Sequence, residues 1–195
     1  MKSIQKIIAV FAVLMCMVNS GGESATNAPK FEGKKVTVKA VYVYEAISEQ
    51  TENTLVAVKG KLASTEDIKK ALANLPEGVL IYLDLSGVTG LTEIGKEAFK
   101  EESNTFHHLA GIVLPNSVTQ IGDWAFCGCT SLESVTIPYS VTQIGWQAFY
   151  DCDNLVITFE GTERQWNNAN AAVGNNYVFQ EVLFPNDDKN YYYDE

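Results

Sequence analysis

The hexapeptide Ser-Val-Thr-Gln-Ile-Gly occurs twice, at Ser117 to Gly122 and at Ser140 to Gly145, 23 residues apart. At the same offset Ala125, Phe126, Cys129 and Leu132 match Ala148, Phe149, Cys152 and Leu155. Ten identities in about twenty positions are far above chance. A unit this short cannot bury an apolar face by itself, so its copies must stack on one another.

The pattern extends in both directions. Leu91 to Phe99 is an earlier copy, with Ile94, Ala98 and Phe99 lying 27 residues before Ile121, Ala125 and Phe126. The four extra residues fall within Lys100 to His108. After them, Leu109, Ile112, Leu114 and Pro115 match Leu132, Val135, Ile137 and Pro138. Leu80, Leu83 and Leu85 supply a first strand, and Leu155, Ile157 and Phe159 a fourth that is one residue shorter. The unit reads L-x-x-V-x-I-P-x-S-V-x-x-I-G-x-x-A-F-x-x-C, with the period and the L-x-x-L-x-L spacing of a leucine-rich repeat. Alternation sends Val135 and Ile137 inward and Ser134 and Thr136 outward, as a short strand does. Ile121, Ala125 and Cys129, four apart, share one face of a helical turn. Stacking aligns Phe99, Phe126 and Phe149 as a spine, each burial contributing about 2–3 kcal/mol. It makes Cys129 and Cys152 small buried hydrophobes. Gly95, Gly122 and Gly145 are expected where the backbone needs unusual dihedrals.

The stretch Ser117 to Pro138, SVTQIGDWAFCGCTSLESVTIP, with LDLSG and LTEIGKEAF before it, resembles the BspA-like leucine-rich repeats of bacterial surface antigens. The resemblance covers about residues 79–166. It implies an exported or surface-anchored binding protein of the adhesin type. The array here is short, and its last strand lacks the P-x-S-V continuation.

The flanks read as caps. Lys34 to Tyr44 alternates as a strand and Thr54 to Gly60 as a second, with a polar hairpin loop between them. Ser64 to Gly78 reads as a helix capped by Ser64 or Thr65 and ended by Pro76, with Ile68, Ala71, Leu72 and Leu75 on its apolar face. Thr162 and Gln165 form a capping-box pattern at a later helix, with Trp166 packed inside. The expected organisation is a signal peptide at 1–20, a linker at 21–33, an N-terminal cap of hairpin plus helix at 34–78, leucine-rich repeats at 79–161, a C-terminal cap at 162–185 and a flexible tail at 186–195. The fold class is an α/β solenoid of about four parallel strands, with an N-terminal αβ cap and a C-terminal helix–strand cap.

Lys2 and Lys6 precede an apolar run from Ile7 to Val18, the pattern of a secretory leader. Cleavage after Ser20 is one reading; lipidation at Cys16 is the other. Both imply export, to the cell surface or outside the cell. The formal charge is −10, near −12 without the leader lysines. That balance argues against nucleic acid, whose phosphates need clustered Lys and Arg, and against anionic membranes except through a lipid anchor.

No nucleophile elbow, phosphate loop or zinc-protease motif occurs, so no catalytic residue and no cofactor is assigned. His107 and His108 align with polar turn positions, which weighs against a metal site built from them and the cysteines. Cys127 aligns with Lys100 and Tyr150 and is the more exposed thiol. The outward strand positions, Tyr82, Asp84, Gly111, Val113, Ser134, Thr136, Thr158 and Glu160, form one candidate binding face, roughly 20 Å wide for four strands. Trp124 aligns with Glu97 and Gln147, and Trp146 with Lys96 and Asp123, which places both rings outside the core as candidate contacts. The reading is a non-enzymatic binding module for a protein or glycan on a host or neighbouring cell. The alternatives are a structural or assembly component of the cell envelope and a metal-dependent enzyme.

Overall fold

A computed structural model describes residues 33–100, 108–169 and 181–186. The leader with Cys16, most of the linker, His107 and the tail after 186 lie outside the described residues. Four repeat strands, β3 (Ile81–Thr89), β5 (Leu109–Val113), β7 (Ser134–Ile137) and β9 (Val156–Phe159), pair in parallel in chain order. β1 (Lys34–Lys39) and β2 (Thr54–Lys61) extend the sheet on one side, and β10 (Glu181–Leu183) on the other. The result is one seven-stranded parallel sheet, wider than the repeat alone predicts. Between the repeat strands the chain forms β4 (Glu93–Ile94), β6 (Gln120–Ile121) and β8 (Gln143–Ile144), a second, three-stranded parallel sheet. Inward residues stay in register along the whole main sheet: Val36, Val56, Leu83, Ile112, Val135, Ile157 and Val182 form one row.

The N-terminal segment departs from the hairpin reading. β1 and β2 are parallel, and their connection is a 3-10 turn (Ala40–Tyr42) followed by α1 (Val43–Ser48). Parallel neighbours need a crossover of about a dozen residues, which a hairpin loop cannot supply. Ala40, Val43 and Ile47 are spaced for a helix and all three are buried; the alternation of the preceding strand had masked that period. α2 (Glu66–Leu72) buries Ile68, Ala71 and Leu72 against the same core. Its N-cap is Thr65, whose side chain makes no capping hydrogen bond. At the other end α3 (Glu163–Ala169) begins with a capping box: the Thr162 N–H donates to Gln165 Oε1 at 2.9 Å, and the Gln165 N–H to Thr162 Oγ1 at 3.2 Å.

The repeats are held together turn upon turn. Phe99, Phe126 and Phe149 are buried and stacked, with ring centroids 5.2 and 5.1 Å apart. The amides of Glu97, Phe99, Trp124, Phe126 and Gly128 donate to carbonyls of the following repeat at 2.6 to 3.0 Å. Cys129 and Cys152 are buried, and each thiol donates to the carbonyl of the preceding repeat's phenylalanine, Phe99 at 3.0 Å and Phe126 at 3.1 Å. The buried cysteines are therefore also hydrogen-bond donors.

The repeated glycines serve close approach, and unusual dihedrals are absent from them. A Cβ on Gly122 would lie 2.6 Å from Lys96 N, and one on Gly145 would strike the Asp123 amide nitrogen. Gly95 heads the array, and a Cβ there meets nothing within 4 Å. The left-handed positions fall two residues later, at Glu97, Trp124 and Gln147, with φ of 56°, 51° and 50°. This sets a prediction: Gly122→Ala and Gly145→Ala should each cost about 1–3 kcal/mol or more by overpacking, while Gly95→Ala stays near neutral. Chemical unfolding of the three variants checks it; equal losses would show that turn spacing does not select glycine.

Candidate functional site

Two surfaces carry the candidate residues. The first is the outward face of the main sheet. Its register gives two rows: Lys35, Leu55, Tyr82, Gly111, Ser134, Val156 and Glu181, then Thr37, Ala57, Asp84, Val113, Thr136, Thr158 and Leu183. Val156, absent from the predicted face, belongs beside Ser134 because β9 runs one residue short after Leu155.

This face is largely closed. Tyr82, Asp84, Val113, Ser134 and Thr158 are all buried, and Thr136 is half-buried. Leu55, Tyr82, Ala110 and Val113 form a hydrophobic cluster separate from the main core, with Leu80 beside it. Gly111 lets the Tyr82 ring reach across the sheet: a Cβ there would lie 3.0 Å from Tyr82 Cδ1 and 2.8 Å from Ser134 Oγ. Asp84 Oδ1 accepts the Ser86 amide at 2.9 Å and its hydroxyl at 2.6 Å, so this carboxylate shapes its own turn. Ser134 and Thr158 are 2% and 3% exposed, and their buried hydroxyls have no hydrogen-bond partner among the described residues. Burial pushes the Glu160 carboxyl above its usual range.

The second surface is the turn edge. Trp124 and Trp146 occupy neighbouring repeats, with centroids 5.1 Å apart and planes at 73°. Trp124 is fixed on every side. Its amide donates to the Trp146 carbonyl at 3.0 Å, and its indole N–H to Gln147 Oε1 at 2.8 Å. The ammonium groups of Lys96 and Lys100 stand 5.2 and 5.6 Å from its ring centroid. Its backbone is left-handed, a conformation costing a bulky residue about 1–2 kcal/mol. Trp146 is 42% exposed, and its amide donates to Asp123 Oδ1 at 2.8 Å. Trp124 thus covers the preceding repeat while Trp146 presents its ring to solvent. The lysines over Trp124 come from another repeat, and no local motif in the sequence announces them.

The histidine pair offers no assembled centre. His108 is buried, and its Nδ1 lies 2.8 Å from the Val79 carbonyl, which makes that nitrogen the donor. Among the described residues no group of three or more His, Cys, Asp or Glu side chains could hold a metal ion. Among them, too, no helix is long and apolar enough to cross a membrane.

Parallel strands on one side, stacked turns on the other and a Leu-Phe-Cys ladder between them define a leucine-rich-repeat solenoid. Residues 92–186, just under half of the chain, match the BspA type leucine rich repeat region in six copies. Among solved structures the chain is similar to a leucine rich cell surface protein from Faecalibacterium prausnitzii A2-165, at 19% identity and a TM-score of 0.36. The alignment covers 71% of this chain and 45% of that one, so the chain spans less than half of that protein's length. No curated protein matches it.

Two expectations follow from the chemistry of these surfaces. Cys152 is fully buried and burial pushes its thiol far up, while Cys127 is partly exposed with a smaller upward push from burial that Lys100 opposes. Iodoacetamide should therefore label Cys127 slowly in the native protein, and Cys129 and Cys152 only after unfolding. Peptide mass spectrometry reads the order. Burial, with Glu133 nearby, raises the Tyr82 phenol to about 12. The folded state favours its protonated form, so this contribution to stability is present at neutral pH and is lost as pH climbs from the ordinary phenol range through about 12. Tyr82→Phe should flatten the alkaline fall in melting temperature; an unchanged alkaline limb would show that Tyr82 does not drive it.

Proposed function

We propose that this chain is an exported, surface-associated, non-enzymatic binding module that engages a protein or glycan partner through the turn edge around Trp146. The carrying observation is the exposed Trp146 ring, braced edge to face by a Trp124 that is itself held by two hydrogen bonds and two lysines. Exposed, rigid tryptophan supplies contact area with little side-chain entropy to lose. The sheet face is the weaker candidate, since Tyr82, Asp84, Val113, Ser134 and Thr158 are buried and Thr136 is only half-buried.

The family match and the surface location named for the Faecalibacterium protein are in keeping with this reading, as is the leader-like N-terminus with its two routes, cleavage after Ser20 or lipidation at Cys16. A single site of this size binds weakly alone and gains strength through display in many copies.

Binding of the purified chain to immobilised fibronectin, fibrinogen, collagen and mucin tests the proposal. Saturable binding that falls about tenfold or more in Trp146→Ala, with unchanged circular dichroism, is expected. Binding that survives both Trp146→Ala and Trp124→Ala would move the site away from this edge. No binding to any of the four would favour the envelope-component reading.

A further inference from the structure

Lys35, Lys39, Lys59 and Lys61 are exposed, and alternation places all four on the outward side of β1 and β2. Register sets Lys39 directly beside Lys59. Like charges in that position destabilise a sheet. Among the described residues none of the four lysines makes an ion pair. Asp84, on the same side of the next strand, is buried, and its Oδ1 accepts from Ser86. Lysines on an edge strand discourage stray pairing, which accounts for those of β1. It does not account for those of β2, which lies between β1 and β3. The stems of Lys59 and Lys61 lie across glycines: a Cβ on Gly87 would come 2.9 Å from Lys59 Cγ, and one on Gly90 3.3 Å from Lys61 Cγ. After Lys39 the chain adds Val41 and Tyr42, 74% and 60% exposed, on the 3-10 turn that packs against β2.

The spread of these charges decides the shape of what fits. Lys35 stands beside Leu55, six residues before Lys61, so the lysines extend over about 20 Å along the strands. A small anion cannot span that length, whereas a chain with repeating acid groups can meet all four. A flat anionic membrane also meets the exposed carboxylates close by in the chain, Glu45 after Tyr42 and Glu66 and Asp67 after Lys61. A thread need meet only the lysines. The net charge of −10 does not prevent this contact, because exposed charges more than about 8 Å away are largely screened at physiological salt. The Tyr42 ring adds an apolar face with a polar tip, which suits a sugar ring.

We infer that Lys35, Lys39, Lys59 and Lys61 form a binding stripe for an anionic polysaccharide, a sugar chain bearing carboxylate or sulfate groups, with Tyr42 at its end. The ligand's acid groups take the place of the absent carboxylate partners and relieve the repulsion between Lys39 and Lys59. The stripe lies on the N-terminal strands and Trp146 in a later repeat, so this binding is independent of the aromatic turn edge and Trp146→Ala leaves it unchanged.

The test is titration of the purified chain with heparin, which is sulfated, and alginate, which is carboxylated, beside neutral dextran. Saturable binding to heparin or alginate and none to dextran is expected. The logarithm of the affinity should fall linearly with the logarithm of salt concentration, with a slope of about −3 for four neutralised acid groups. Lys39→Gln and Lys59→Gln should each weaken binding about two- to fivefold, while Lys70→Gln, on α2, leaves it unchanged. Circular dichroism establishes that each variant is folded. Absence of binding to both acidic polysaccharides overturns the inference. So does equal binding to dextran, or binding that neither Lys39→Gln nor Lys59→Gln weakens. Tighter binding to phosphatidylglycerol vesicles or to duplex DNA than to either polysaccharide also overturns it, and gives the stripe to a membrane or a nucleic acid.

Discussion

Successive repeats are held one strand-spacing apart, about 4.8 Å, and every other feature must fit that step. The phenylalanine rings meet it by stacking nearly parallel, with centroids 5.1 and 5.2 Å apart. The turns meet it by omitting a side chain at Gly122 and Gly145, where a methyl group would run into the preceding repeat's backbone. The thiols of Cys129 and Cys152 meet it by reaching back to a phenylalanine carbonyl. Each device joins one repeat to its neighbour, and none spans two. The core is thus a column of nearly identical layers, closed at the N-terminal side by α2, whose Lys69 ammonium reaches the Glu97 carbonyl in the first turn at 2.9 Å.

The repeat itself was legible because identity at a fixed offset reports a shared environment without any knowledge of the fold. It places Phe126 over Phe149 and gives Cys129 and Cys152 the same surroundings. It could not say why glycine recurs, since close approach and a left-handed backbone both select glycine. The residues at the left-handed positions, Glu97, Trp124 and Gln147, share no chemistry that would mark them. Outside the repeat no such offset identity exists. The alternation through Val36 and Val38 ran on into Tyr42 and Tyr44 and concealed the helical spacing of Ala40, Val43 and Ile47. A parallel partner for β1 is a non-local fact, and local pattern does not encode it.

The two candidate surfaces show the same limit. Alternation assigns an outward direction to Tyr82, Asp84, Val113 and Ser134, but direction is not exposure, and all four are buried. Leu55 and Ala110 lie far from these residues in sequence, and register alone brings them into one cluster with Tyr82 and Val113. At the turn edge, alignment with Lys96 and Asp123 put Trp146 outside the core. The bracing of Trp124 by Lys96, Lys100 and Gln147 emerges only when three repeats are laid over one another.

Because the backbone bonds of each layer run to its immediate neighbours, the column also has a mechanical character. Tension applied at its two ends loads the layers in series, as links of a chain. A layer that lets go releases about 23 residues of slack, roughly 75 Å when extended, while the layers behind it keep their own ladders. Such a body yields by lengthening in instalments and holds the remainder of its fold as it does so.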